Sequence, residues 1–329
     1  MPSCIDYSIS LVNPKIFTTQ LHISTCILVP VHLFGAYCIL LKTPKKMESV
    51  KWILLNLHCF SALLDISFSF LAMPYPLFPA AGGYSLGVLD YPFFEIYLIV
   101  SLLDGMGVAI MTTFENRYFV LFGTNTWWEQ ARYPFLVFNY LLIPLFFLPA
   151  MLMIPDQTTA LEEISKILSC TPEPFLNDRK VFLVTKDFTN LVVPAATMTL
   201  WNFSQMIWFV ALIVLKMRKQ VKKLSTTSSR TIEMQRKLVF ALILQLSIAI
   251  TILALPIAYL MASLGFGYYN QLLNNLSICL FSAHGVLSTI VMIAVHEPYR
   301  QIFGRKRKSA VVIFEKSKSS RVSVVPFLF

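Results

Sequence analysis

Residues 92–114 read PFFEIYLIVSLLDGMGVAIMTTF, and Glu115-Asn116-Arg117-Tyr118 follows directly. At about 1.5 Å of rise per residue, this run is long enough as a helix to cross about 30 Å of hydrocarbon. Working outward, six more runs of the same kind stand at Thr18 to Leu41, Trp52 to Ala72, Pro134 to Ile154, Val192 to Leu215, Leu238 to Ala262 and Leu272 to Val295. The seven spans have 21 to 25 residues each. Backbone polar groups in lipid must pair within the segment that carries them, so runs this continuous demand helices, and the short alternating strands of a barrel are absent. The expected fold is an all-α membrane protein, a seven-transmembrane helix bundle covering residues 18–295. Residues 1–17 would precede it and a tail of 296–329 would follow.

Composition agrees with that reading. Of 329 residues 56% are hydrophobic and 13% charged, and the mean hydropathy is +0.66. A soluble domain carries about a quarter charged residues. This excludes a soluble enzyme, a disordered chain and a nucleic-acid-binding domain, despite a net charge of +10. Lys and Arg counted between spans fall 22 on one side of the membrane and five on the other. The positive-inside rule then puts the N-terminus outside and the C-terminus inside, with the basic excess facing anionic lipid and acidic partner surfaces. The first 13 residues lack a basic n-region and a small-residue cleavage site, so the first span reads as a retained signal-anchor. Cys26, Cys38, Cys59 and Cys279 lie in apolar runs without metal-ligand spacing and read as small core residues. Cys4 and Cys170 stand in polar segments where an oxidised pair is conceivable.

Ionisable groups inside a span are expensive and therefore informative. Counted along the helices, Asp65 and Asp104 both lie roughly 20 Å above the inner boundary, with His284 at roughly 18 Å and Asn202 at roughly 21 Å. They form a polar layer near mid-membrane. Such groups either hold helices together or act as a small-cation site, a protonation switch or the floor of a ligand cavity. We favour a polar switch core at Asp65 and Asp104, because a bundle with two packings needs a bistable contact. Asp104, Asn202, Gln205, Tyr259 and His284 are the candidate ligand-binding residues, chosen for depth and polarity.

Catalytic patterns fail. His296-Glu297-Pro298-Tyr299-Arg300 opens like HExxH but has Arg where the second ligand must stand, and Pro298 breaks the helical spacing. No Walker loop, GxSxG elbow or paired His/Cys cluster is present, and span seven has no Lys for a retinal Schiff base. The expectation is a protein without enzymatic activity, metal or cofactor. Asn202-Phe203-Ser204 and Asn275-Leu276-Ser277 match the glycosylation sequon but fall inside spans. Pro144, Pro149 and Pro256 are expected to kink spans four and six. The outer segment from Pro155 to Asp187, helix-compatible around Leu161 to Leu168, is either a lid over the bundle mouth or a loose connection. At the inner end of span three, Arg117 either pairs with Glu115 or reaches across the inner cavity.

Three motifs in this order resemble the nematode serpentine receptors of class h, within the large seven-helix chemoreceptor superfamily. They are Pro74-Tyr75-Pro76-Leu77-Phe78-Pro79 followed by Gly83 to Leu89, then Phe114-Glu115-Asn116-Arg117-Tyr118-Phe119, then His296-Glu297-Pro298-Tyr299-Arg300. The resemblance covers almost the whole chain. It implies a G-protein-coupled receptor of sensory neurons, placed in the plasma membrane and its cilia, that binds a small environmental molecule and activates a heterotrimeric G protein. Glu115, Arg117 and Tyr118 would then make the G-protein-coupling element. No Cys stands near the outer start of span three, so Cys170 lacks the partner that many rhodopsin-like receptors supply there. The partners expected are a small-molecule ligand, a G protein and membrane lipid, with no nucleic acid. The competing function is a seven-span transporter or ligand-gated channel whose path is lined by Asp65 and Asp104.

Overall fold

Several helices begin where the sequence supplies a cap. Asn13 accepts the Lys15 amide at 3.0 Å with Pro14 in the first turn, Thr126 accepts that of Trp128 at 3.3 Å, and Asn270 accepts that of Leu273 at 3.1 Å. Each oxygen satisfies one of the four amides that a helix leaves orphaned at its start. The computed structural model describes residues 10–168, 181–222, 247 and 250–303. Cys4, Cys170, the stretch of span six from Leu238, the basic segment with Ser225 to Ser229, and the tail basic run Arg305 to Lys308 lie outside the described residues.

The helices are α1 Pro14–Lys42, α2 Glu48–Ile66, α3 Pro92–Tyr118, α4 Trp127–Phe146, α5 Leu148–Leu152, α6 Ala160–Leu168, α7 Thr189–Lys222, α8 Ile250–Phe266, α9 Gln271–Val295 and α10 Glu297–Arg300. Short π-helical turns, Ser67–Leu71 and Phe119–Gly123, extend α2 and α3. Six of these helices are long and apolar enough to cross a membrane, and α8 is a shorter apolar one. The helices run past the apolar windows at several ends, because hydropathy marks the hydrocarbon and not the last hydrogen-bonded turn. The fourth span divides at Phe147: Pro144 lies inside α4, and Pro149 stands in the first turn of α5. A proline removes one ladder donor and crowds the carbonyl four residues back, which is why the axis breaks there.

α3 lies against α2, α4 and α7, while α1 and α2 both pack on α9. A small antiparallel sheet closes one end of the bundle. Its strands are β1 Pro74–Pro76, β2 Gly82–Ser85 and β3 Phe182–Leu183, with β2 in the middle and Tyr75 opposite Tyr84. Gly83 is required there, since a Cβ would run into the Tyr75 carbonyl. α6 lies on the sheet with Ile164 fully buried, so the segment after Pro155 is ordered as a cap as far as it is described. Asp156 starts this cap by accepting the Thr158 amide at 3.1 Å, and the Thr158 amide and hydroxyl hold its carboxyl below the usual carboxylate range. Side chains stitch the sheet to the bundle. Gln271 Nε2 donates to the Pro76 carbonyl at 3.0 Å, Asn274 Nδ2 to that of Phe78 at 3.0 Å, and Tyr75 Oη to that of Val12 at 2.7 Å.

Candidate functional site

The polar residues expected at mid-membrane are buried and fall into separate hydrogen-bonded groups. In the first, Asp65 of α2 is fully buried. Its Oδ1 lies 2.9 Å from His284 Nδ1 and accepts from the Gly285 amide at 3.1 Å. Its Oδ2 accepts from His32 Nε2 at 3.1 Å and from the Val286 amide at 3.0 Å. Three hydrogen-bond donors and the close His284 ring thus converge on two oxygens, a complement that a carboxylate's lone pairs can take. The partners also assign the rings: His284 Nδ1 faces Asp65 and the Phe281 carbonyl, both acceptors, so that nitrogen carries the proton. His32 donates through Nε2, leaving its Nδ1 without a partner. His58 Nε2 donates to the His32 carbonyl at 2.9 Å, and the two rings lie 5.3 Å apart. Gly285 admits the carboxylate, because a Cβ there would stand 2.7 Å from Asp65 Oδ2.

The second cluster joins α3, α4 and α7. Asn202 Nδ2 donates to Asp104 Oδ1 at 2.8 Å, and Asn139 Oδ1 accepts from Gln205 Nε2 at 3.0 Å and from Trp201 Nε1 at 3.2 Å. The clusters approach through Met106, whose sulfur is 3.0 Å from His284 Nε2. The five candidate ligand residues are therefore not one site. Asp104 pairs with Asn202, Gln205 pairs with Asn139 one helical turn further along α7, and His284 belongs to Asp65. Tyr259 is at the sheet-bearing end, where its hydroxyl bridges the Asn270 carbonyl at 3.1 Å and Asn274 Oδ1 at 3.0 Å. Both sequon asparagines are buried and bonded, Asn202 to Asp104 and Asn275 to the Leu11 carbonyl.

At the end away from the sheet, Glu115 does not pair with Arg117. It accepts from Arg132 Nη2 at 2.9 Å and from Trp128 Nε1 at 2.8 Å, with the Arg132 guanidinium 3.9 Å from the centre of the Phe119 ring. Arg117 is left buried at 4% exposure, with Nε and Nη2 unpartnered among the described residues. Lys216 of α7 donates to the Tyr118 hydroxyl at 3.1 Å. His296, just past α9, is pushed below the ordinary imidazole range by burial, aided by the positive charge of Arg117. Tyr299 packs beside it and shares a hydrogen bond of 2.8 Å with Thr43.

His32, His58, Arg132 and Trp128 were not among the sequence candidates. The two histidines each interrupt an apolar run, which is a legible signal. Arg132 and Trp128 resemble any interfacial pair, and nothing local in the sequence points from them to Glu115. Among the described residues, no group of three His, Cys, Asp or Glu side chains is arranged to hold a metal ion.

Six long apolar helices and a shorter one fit a seven-span helical membrane protein. The comparison with known families makes this specific: the serpentine type 7TM GPCR chemoreceptor Srh family matches residues 12–308, and the chain belongs to that family. It is also 25% identical over 297 residues to serpentine receptor class H-72 of Caenorhabditis elegans, an alignment covering 86% of this chain and 84% of that one. The family is one of receptors, not enzymes.

Proposed function

We propose that this chain detects a small environmental molecule and passes the signal to a heterotrimeric G protein. Its N-terminus and sheet face outside, and the Arg117 end faces the cytoplasm. The plasma membrane of a sensory-neuron cilium is the location that fits a receptor of this family. The distribution of Lys and Arg supports the orientation.

The observation that carries the reading is Arg117. A guanidinium has five N–H donors and is rarely buried without acceptors. Here the neighbouring acid is held by Arg132, and two guanidinium nitrogens have no partner. An inserted segment of a G protein, offering backbone carbonyls or a carboxylate, would complete them. On this reading Glu115, Arg117 and Tyr118 form the coupling element, and Lys216 ties Tyr118 to α7, the helix that leads into the basic segment. Asp65 and Asp104 serve as the polar switch core: each joins helices that a change of packing would separate, α2 to α1 and α9 in one case, α3 to α7 in the other.

The test is a small-molecule panel read by calcium imaging in cells expressing the chain with a promiscuous G protein. Arg117→Ala and a G-protein inhibitor are the controls. A response abolished by both is the expected result. A ligand-evoked current that survives both would replace this reading with a channel or transporter using Asp65 and Asp104.

A further inference from the structure

Among the described residues, Asp104 is a buried carboxylate with no cation beside it. Asp65 faces His32 and His284, and Glu115 faces Arg132. Asp104 is equally deep at 3% exposure, and it has the Asn202 amide beside it but no Lys, Arg or His in ion-pair reach among the described residues. A charge taken out of water without a partner is costly, so the surroundings of Asp104 decide what it is for.

Those surroundings are rich in acceptors. Asn202 spends its amino group on Asp104, and Gln205 spends its own on Asn139, so the amide oxygens of both remain. Asn202 Oδ1 and Gln205 Oε1 are buried and unpartnered, and so is Ser101 Oγ, which lies one helical turn before Asp104 on α3. Asn202 is itself more than nine-tenths buried. Amide oxygens only accept. A carboxylate and two unpartnered amide oxygens borne within one turn of α7 and the facing α3 are complemented by a group with several N–H donors and a positive charge.

A small apolar cleft of about 20 Å³ lies one to two turns nearer the start of α3. It opens between α3, the α4–α5 break and α7, and is lined by Ile96, Val100, Phe147, Met151 and Leu191, with Asn190 also at its wall. Ile96, Val100 and Asp104 are spaced by four residues and share one stripe of α3, so Asp104 lies about 6 Å further along the axis than Val100. Among the described residues, nothing charged lines this cleft.

We propose that the contact between α3, α4 and α7 is a binding site for a protonated primary or secondary amine with a short apolar body. The ammonium group donates to Asp104, Asn202 Oδ1 and Gln205 Oε1, and the body runs along Val100 and Ile96 toward the cleft. Tyr259 and His284 take no part. The proposal deepens the receptor reading and depends on it only for what binding triggers.

The experiment uses the full chain in lipid nanodiscs at neutral pH, with n-hexylamine as probe and n-hexanol and hexanoate as matched controls. Thermal unfolding is followed against probe concentration, and G-protein nucleotide exchange is measured in parallel. Saturable stabilisation by hexylamine is expected, with hexanoate inert and hexanol weaker. Asp104→Asn keeps the shape and removes the charge; it should weaken the amine effect about ten- to a hundredfold, the range for loss of a charge-assisted hydrogen bond. Ala150→Phe, at the cleft wall, should weaken it as well without touching the carboxylate. Equal stabilisation of the wild type by hexanol and hexylamine would overturn the proposal, and this comparison requires no variant to fold. An unchanged amine effect in a folded Asp104→Asn would overturn it too. Saturable amine binding without nucleotide exchange would sink the receptor reading and leave the site standing; nucleotide exchange driven by other compounds, with no amine stabilisation, would do the reverse.

Discussion

Replacing Asp65 by Asn and by Ala separates the hydrogen bonds of the α1–α2–α9 cluster from its shape. Hydrogen bonds between transmembrane helices contribute about 0.6 kcal/mol on average and about 1.7 kcal/mol at most, because the unfolded chain in lipid also finds partners. Asp65→Ala removes the acceptor of three hydrogen bonds and the close His284 contact, so roughly 2 kcal/mol is lost before the void is counted. Asp65→Asn should be milder, for a reason visible in the rings. His32 Nδ1 has no partner, so the proton can move there and leave Nε2 to accept from the new amino group. His284 cannot make the same exchange, since its Nδ1 also faces the Phe281 carbonyl. The Asn oxygen is therefore expected toward His284 and Gly285 and its amino group toward His32. One donor, the Val286 amide, is then opposed, and the cost falls to about 0.6–1.7 kcal/mol. Thermal unfolding of the purified receptor in nanodiscs measures the order wild type, Asn, Ala. Gly285→Ala places a Cβ 2.7 Å from Oδ2. It disturbs the same bonds, so combining it with Asp65→Asn should cost less than the sum of the two. Equal losses for Asn and Ala would refute the tautomer argument, and a neutral Asp65→Ala would refute the view that this cluster holds the three helices.

Two further outcomes follow from the opposite end. Arg132→Ala leaves Glu115 buried with Trp128 alone and should cost about 3–5 kcal/mol of stability, whereas Arg132→Met combined with Glu115→Gln should recover most of it in the same unfolding assay. His296 has a folded pKa below its unfolded value of about 6.5, so the unfolded chain binds the extra proton and stability is lost as pH falls through that value. Unfolding midpoints between about pH 7.5 and pH 5.5 should therefore decline more steeply in the wild type than in His296→Gln, and parallel slopes would remove His296 as the cause.

Much of the bundle was legible because a membrane imposes one rule on every residue of a span. Any backbone in hydrocarbon must satisfy itself, so Pro92 to Phe114 has no choice but helix, and Pro144 with Pro149 has little choice but to interrupt one. Depth along a helix was legible too, since rise per residue is constant, and this is how Asp65, Asp104, Asn202 and His284 could be assigned to one layer. Rotation about the helix axis was not. Two residues at one depth meet only if both helices turn them inward, and that depends on packing between segments far apart in sequence. Hence Asp65 finds His32 and His284 while Asp104 finds Asn202, although counting along the helices gives Asp65, Asp104, Asn202 and His284 a similar depth.

The same distinction governs the motif at Glu115. Its sequence establishes an acid and an arginine two residues apart at the end of a helix, and neighbours at that spacing point to different faces. Only the fold brings Arg132 and Trp128 across from α4 to take the acid and leaves Arg117 without it. The sequence by itself determined the solvent of this protein, the helical state of its spans and the family to which it belongs, because these depend on composition, length and order along the chain. Tertiary structure alone decided which buried charges are answered and which are not, because burial makes the value of a polar group depend on the one or two atoms that face it.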